Sequence, residues 1–318
     1  MKILQLLLLS SLSLLAWEAP AMPKGELGRM VKLGNEIANN TANHPLTKAY
    51  VGNTLACKSC HLQENYNGYA GTGEGLSTWI GTAAVFPAYS KREQTIQTVE
   101  DRSNNCFMRS MSGKRLEDGS EASLALYAYI SWLSTGIAMK MDDKRPVTAS
   151  KSQFYADGQK KFRLILEKAT HQNYLDGKTV FENRCADCHD IEGKGKKNIA
   201  PAIWGISKDG KKELSFNTGA GLADPQKSAI WIQDNMPLGE HNLTDQESAD
   251  VALYIDAQPR ADFDLKEIIK DLKVYNSKVL DEKHSVRSRM KSYGLDIDII
   301  RGDENISGIG YSFKKERN

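Results

Sequence analysis

Two short motifs carry side chains able to hold a redox centre: Cys57-Lys58-Ser59-Cys60-His61 and Cys185-Ala186-Asp187-Cys188-His189. Two thiols three positions apart, followed at once by an imidazole, form the attachment signal for c-type haem. The thiols add across the haem vinyl groups as thioethers. The histidine sits on the same turn, where it can ligate the iron from one side. Paired zinc-binding cysteines usually lie about 15–20 residues apart, far closer than these two pairs, and a redox dithiol needs no histidine after it. The expected cofactors are therefore two covalently bound haem c groups, attached at Cys57, Cys60, Cys185 and Cys188, with His61 and His189 as iron ligands.

Each iron then needs a ligand on its opposite side. In the second half of the chain, Met236 lies in Asn235-Met236-Pro237-Leu238-Gly239 and is the only methionine between Asp142 and Arg289. A thioether there gives His/Met coordination, which raises the reduction potential; His241 is the competing ligand. In the first half, Asn104-Asn105-Cys106-Phe107-Met108-Arg109-Ser110-Met111 offers Cys106, Met108 and Met111. Aligning Gly113 with Gly239 sets Met236 opposite Ser110, beside Met111, so the repeat alone favours Met111. A lone cysteine is commonly an inert, small apolar residue.

The elements that must position these groups are helical. Leu116-Glu117-Asp118 through Ala125-Leu126-Tyr127 aligns without gaps on Leu243-Thr244-Asp245 through Ala252-Leu253-Tyr254, with helical rather than alternating apolar spacing. Asp118 and Asp245 are expected near the helix starts, where a carboxylate offsets the dipole. Each half thus reads as a short helix into CxxCH, an irregular stretch and a closing helix: an all-α chain of two domains resembling the class I cytochrome c fold. Pro201 stands where such folds place a loop that orients the histidine, and Pro87 is its counterpart in the first half. The expected divisions are a signal peptide over 1–21, a first domain over 22–150, a second over 154–260 and a charged extension over 261–318. The leader reading rests on Lys2, the apolar run Ile3 to Leu15 and the small residues Ala19-Pro20-Ala21. It predicts a periplasmic protein with no membrane span, since Glu18 ends the apolar run short of the roughly 20 residues a span requires. A net charge of +2, from 42 basic and 40 acidic side chains, lacks the basic excess usual in nucleic-acid binding.

A more specific resemblance rests on Phe86-Pro87-Ala88-Tyr89, Arg92, Ile96-Gln97-Thr98, Asp101-Arg102 and Asn105 to Met111, followed by the second CxxCH and the Asn-Met-Pro-Leu-Gly segment. This pattern resembles the di-haem thiosulfate dehydrogenases over most of the chain apart from the extension. The resemblance implies that Cys106 is the distal ligand of the first haem, which is the active site, and that Met236 is that of the second. Some members carry a lysine immediately before this methionine as an alternative ligand; Asn235 stands here, so that switch is not available. The implied reaction is 2 thiosulfate ⇌ tetrathionate + 2 electrons, exchanged through the Met236 haem with a soluble or membrane-bound c-type cytochrome.

Six basic residues, Lys91, Arg92, Arg102, Arg109, Lys114 and Arg115, crowd between positions 91 and 115 against Glu93, Glu100 and Asp101. Arginine's planar fork suits sulfonate oxygens as it suits phosphate. The resemblance selects Arg92 and Arg102 as catalytic, with Ser110 as a hydroxyl donor, and leaves Arg109, Lys114 and Arg115 undecided. Thiolate ligation should give the first haem the lower potential. Chemically, Cys106 is expected to join one thiosulfate sulfur in a mixed species that a second thiosulfate resolves. A di-haem electron shuttle or oxidase subunit would explain the haems and Met236 but leave Cys106 and the arginines idle. A di-haem peroxidase would need an open iron site.

Overall fold

The computed structural model describes residues 17–141, 146–205, 214–268 and 282–302. Most of the expected leader lies outside the described residues. Within them, the chain forms two helical units and two small two-stranded ribbons. No helix among the described residues is long and apolar enough to cross a membrane.

In the first unit α1 (Gly25–Asn40) crosses α3 (Glu121–Leu133), and between them run the antiparallel strands β1 (Ala88–Ser90) and β2 (Thr95–Gln97) and helix α2 (Val99–Met108). Val31, Ile37, Phe107, Leu126, Tyr129 and Leu133 fill the core. The second unit holds α4 (Gln153–Leu166), α5 (His171–Arg184), α6 (Ala186–His189), α7 (Pro225–Asn235) and α8 (Asp245–Asp256). Its core includes Phe162, Tyr174, Phe181, Trp204 and Leu253.

One device recurs in both units. A Cβ at Gly34 in α1 would come within 2.1 Å of the Ala125 carbonyl in α3, and a Cβ at Gly177 in α5 within 2.0 Å of the Asp250 carbonyl in α8. Both crossings bring backbone against backbone at a glycine, which has no side chain to keep the helices apart.

The two units also depart from the single plan read in the sequence. Helix α5 runs straight into Cys185, whereas α1 ends well before Cys57, and Thr41 spans the gap. Its hydroxyl accepts from the Cys57 amide at 3.0 Å. Asp245 begins α8, with Thr244 and Glu247 completing a capping box. Asp118 does not begin α3, because Ser120 caps that helix. Asp118 instead accepts from Asn104 and Arg115, both at 3.0 Å.

The C-terminal segment crosses both units. Strands β3 (Phe263–Asp264) and β4 (Lys283–His284) pair antiparallel, with α9 (Leu265–Ile268) following β3. Helices α10 (Val286–Lys291) and α11 (Ile297–Arg301) then pack Val286, Met290, Ile297 and Ile300 into the second core.

Candidate functional site

The first CxxCH lies on a 3-10 turn, Cys57–Ser59. The imidazole Nδ1 of His61 donates to the Ser77 carbonyl at 3.0 Å, so the same ring's Nε2 is left as the ligating nitrogen. Ser77 braces the turn further: its hydroxyl accepts from the Leu62 amide at 2.6 Å and donates to the Cys60 carbonyl at 3.1 Å. Orientation of the histidine therefore falls to Ser77, not to Pro87. In the second unit the Nδ1 of His189 donates to the carbonyl of Pro201 at 2.9 Å, so the proline loop does the orienting there.

A cavity of about 410 Å³ opens beside the first motif, lined by Cys57, Cys60 and His61 and also by Arg92, Arg102, Cys106 and Ser110. The structure thus brings together every residue singled out for the first site. Helix α2 explains much of this: Thr98 caps it and pairs with Asp101, and Arg102 and Cys106 then lie one turn apart on one face. Nη1 of Arg102 donates to the Cys106 sulfur at 3.1 Å. Met111 also lines the cavity but belongs to the apolar core, while Met108 is fully buried.

The three thiols of this pocket differ in charge preference. Burial pushes Cys57 and Cys60 up to about 12. Burial also works to raise Cys106, but the Arg102 guanidinium and the His61 imidazole outweigh it and hold that thiol at about 6. Two thiols suited to staying neutral until they form thioethers stand beside one suited to being a thiolate.

The basic residues left undecided by the sequence separate clearly. Arg115 pairs with Asp101 and Asp118, and the Lys114 ammonium sits 5.2 Å from the centre of the Tyr50 ring. Arg109 is 2% exposed and turned away from solvent. It pairs with Glu93 at 3.0 Å and Glu282 at 2.5 Å, donates to Asn105 and lies over the Phe263 ring. Glu93 also accepts from Nε of Arg92 at 3.0 Å. Sequence reading missed Glu93 as a partner and Glu282 altogether. Adjacency to Arg92 was a signal for the first; nothing near Glu282 distinguishes it from a solvated charge.

At the second motif, Cys188 is exposed and burial pushes Cys185 up to about 11. Burial also lowers His189, favouring the neutral imidazole that can ligate a metal. Met236 ends α7 and packs against the second core, while His241 is exposed. The two units are joined: Trp231 of α7 donates its indole N–H to the Cys60 carbonyl at 3.0 Å, and Asn53 donates to the carbonyls of Ser110 and Ser215.

This donor set fits haem c in both units: paired thiols, a histidine with Nδ1 already engaged, and in the first unit a cavity lined by both His61 and Cys106.

Comparison with known proteins agrees. Residues 47–139 match the family described as SoxA/TsdA, cytochrome c domain, and residues 174–258 match Cytochrome c. Two cytochrome c domains imply two covalently bound haem c groups with iron. The chain is 35% identical over 245 residues to a protein named thiosulfate dehydrogenase from Psychrobacter arcticus, covering 75% of this chain and 66% of that one. It is 32% identical over 249 residues to the thiosulfate dehydrogenase of Allochromatium vinosum, covering 76% of this chain and 82% of the relative. Among solved structures, thiosulfate dehydrogenase (TsdBA) from Marichromatium purpuratum superposes with a TM-score of 0.59 at 28% identity, over 77% of this chain and 49% of that one. The chain therefore spans about two thirds of the Psychrobacter relative and half of the Marichromatium chain.

Proposed function

Because the chain belongs to the thiosulfate dehydrogenase family, we propose that it interconverts thiosulfate and tetrathionate in the pocket of its first domain. The observation that carries this reading is the 3.1 Å contact of the Arg102 guanidinium with the Cys106 sulfur, on the wall that also holds Arg92 and Ser110. Thiosulfate is a dianion, and joining two of them requires cations that offset their repulsion without reacting. Guanidinium groups do this and hold sulfonate oxygens through paired N–H donors.

In this reading Arg92 and Arg102 bind and orient the sulfonate ends, and Ser110 donates its hydroxyl. The Cys106 thiolate bonds to the terminal sulfur of one thiosulfate, giving Cys–S–S–SO3⁻ as two electrons leave the pair. A second thiosulfate attacks the sulfur bonded to Cys106; that S–S bond breaks, tetrathionate departs and the thiolate returns. The reverse sequence reduces tetrathionate. Haem c, held by Cys57, Cys60, His61 and Cys106 in the first domain and by Cys185, Cys188, His189 and Met236 in the second, supplies a one-electron carrier at each site when bound. A soluble or membrane-bound c-type cytochrome is the external electron partner. The reading puts the protein in the periplasm, where a leader over 1–21 would deliver it.

The test uses one purified holoprotein sample. Thiosulfate should reduce ferricyanide, and tetrathionate should oxidise a reduced donor. Peroxide turnover, or simple electron exchange with neither sulfur compound supporting a rate, would overturn the reading.

A further inference from the structure

The C-terminal segment lies beyond both matched family regions, yet it places a carboxylate in the first domain. Glu282 precedes β4, and its backbone carbonyl accepts from Leu265 at 3.1 Å. The β3–β4 ribbon is fastened to the second domain through Thr218. That hydroxyl accepts from the Phe263 amide at 2.9 Å and donates to the His284 carbonyl. Phe263, 1% exposed, lies under the Arg109 guanidinium with 4.9 Å from ring centre to Cζ. So positioned, Glu282 has both oxygens engaged, one by His284 at 3.1 Å and one by Arg109.

Glu93 is the point of competition. Its Oε1 accepts from Nε of Arg92 and is ion-paired with Nη2 of Arg109, each at 3.0 Å, while its Oε2 is buried with no partner among the described residues. Nε of Arg109 is likewise buried and unpartnered. A small rotation could match these two orphan atoms in a two-pronged Glu93–Arg109 pair, the stronger geometry for these groups. That arrangement would draw Glu93 away from Arg92. Glu282, by occupying Nη2 of Arg109, holds the cluster in its present form.

We propose that Glu282 is a positioning residue for substrate binding: by pairing with Arg109 it leaves Glu93 to hold the Arg92 guanidinium at the cavity wall. The inference rests on the thiosulfate reading and assigns that site a control from the C-terminal segment. Two carboxylates and two guanidiniums make the cluster neutral, so Arg92 is fixed without losing the local positive charge of Arg102.

The experiment is calorimetric titration of thiosulfate into full-length holoprotein held fully reduced with titanium(III), where binding proceeds without turnover. Glu282→Gln should weaken binding about fivefold to tenfold, a typical coupling within one charge network. Under turnover, KM should rise by the same factor with kcat within about twofold. In an Arg92→Ala background, Glu282→Gln should add nothing. Adding Arg109→Met to Glu282→Gln removes the competitor for Glu93 and should restore binding to within about twofold of the parent. Equal weakening in both backgrounds would overturn the inference, as would unchanged binding by Glu282→Gln. Failure of the Arg109→Met/Glu282→Gln protein to recover would also overturn it, and this arm stands even if the single variant fails to fold. A parent protein that binds no thiosulfate would remove the functional reading itself, whereas a parent that binds beside an unaffected Glu282→Gln removes this inference alone.

Discussion

The two CxxCH pockets begin from the same five-residue pattern and differ in what surrounds it. At the first, His61 shares the lining of a cavity with Arg92, Arg102, Cys106 and Ser110. In the second unit, Met236 closes α7 against an apolar core, and Cys188 is exposed. In the first unit a guanidinium meets the Cys106 sulfur; in the proposed reading the second unit offers a thioether, which neither attracts an anion nor joins one. The lesson is that attachment chemistry and reaction chemistry are separable. The motif provides for the cofactor, and in the first unit α2 supplies Arg102 and Cys106 to the cavity beside it.

The largest break in this comparison should come from making the first pocket resemble the second. Cys106→Met should keep both haems, as read by the pyridine haemochrome assay, while thiosulfate-dependent ferricyanide reduction falls by about a thousandfold or more. Substantial retained turnover would show that the sulfur of Cys106 forms no bond with substrate.

Arg102→Ala keeps the sulfur and removes its cation. We expect a loss of about a hundredfold in kcat/KM, comparable with deleting one preorganised donor from an active site. Met236→His tests the other pocket. The potential of the second haem should fall, since imidazole favours the ferric state more than a thioether does, and the EPR signal of the first haem should not move. Movement of both signals would mean that the pockets are not independent.

A smaller effect concerns what the domains share. Gly34→Ala and Gly177→Ala each force a Cβ into a carbonyl at a helix crossing, so each should destabilise its own domain by about 1–3 kcal/mol. Denaturant unfolding followed at the two Soret environments would show whether the two penalties match.

The smallest effect is acidic and belongs to the first pocket alone. Burial would raise the Glu282 carboxyl, but the His284 hydrogen bond and the Arg109 charge hold it down at about 2. A carboxyl depressed in the folded state contributes stability above its unfolded value, near 4.3, and loses it as pH falls toward 2. Hydrogen exchange over residues 282–302 should therefore show full docking at pH 5 and progressive release below pH 4. Glu282→Gln should flatten that dependence.

Much of the architecture was legible in the sequence because its determinants are local. Helix α8 follows from Thr244, Glu247 and a helical apolar pattern within a few positions. The same logic misplaced Asp118, since Ser120, two residues on, caps α3 and Arg115 and Asn104 claim the carboxylate. Pro87 was read as the counterpart of Pro201, but the first domain orients its histidine with Ser77, a residue no pattern marks. The role of Glu282 is hidden in the sequence because the basic and acidic residues of the extension nearly balance. Its one carboxylate on Arg109 has a partner 173 positions away along the chain.

By itself, the sequence determined that two haem c groups are to be expected and placed the two CxxCH motifs that could attach them. Thioether formation and histidine ligation need only residues within one turn of each other, and such spacing is written in consecutive letters. That Arg102 and Cys106 share a face of α2 came only with the structure. Only the tertiary structure decided which of the six basic residues meet the cavity and which are neutralised, because a buried charge is governed by whichever partner reaches it through space. Residue type and position alone did not separate Arg109 from Arg102; Glu93 and the distant Glu282 made Arg109 a buried strut, while Arg102 meets the Cys106 sulfur.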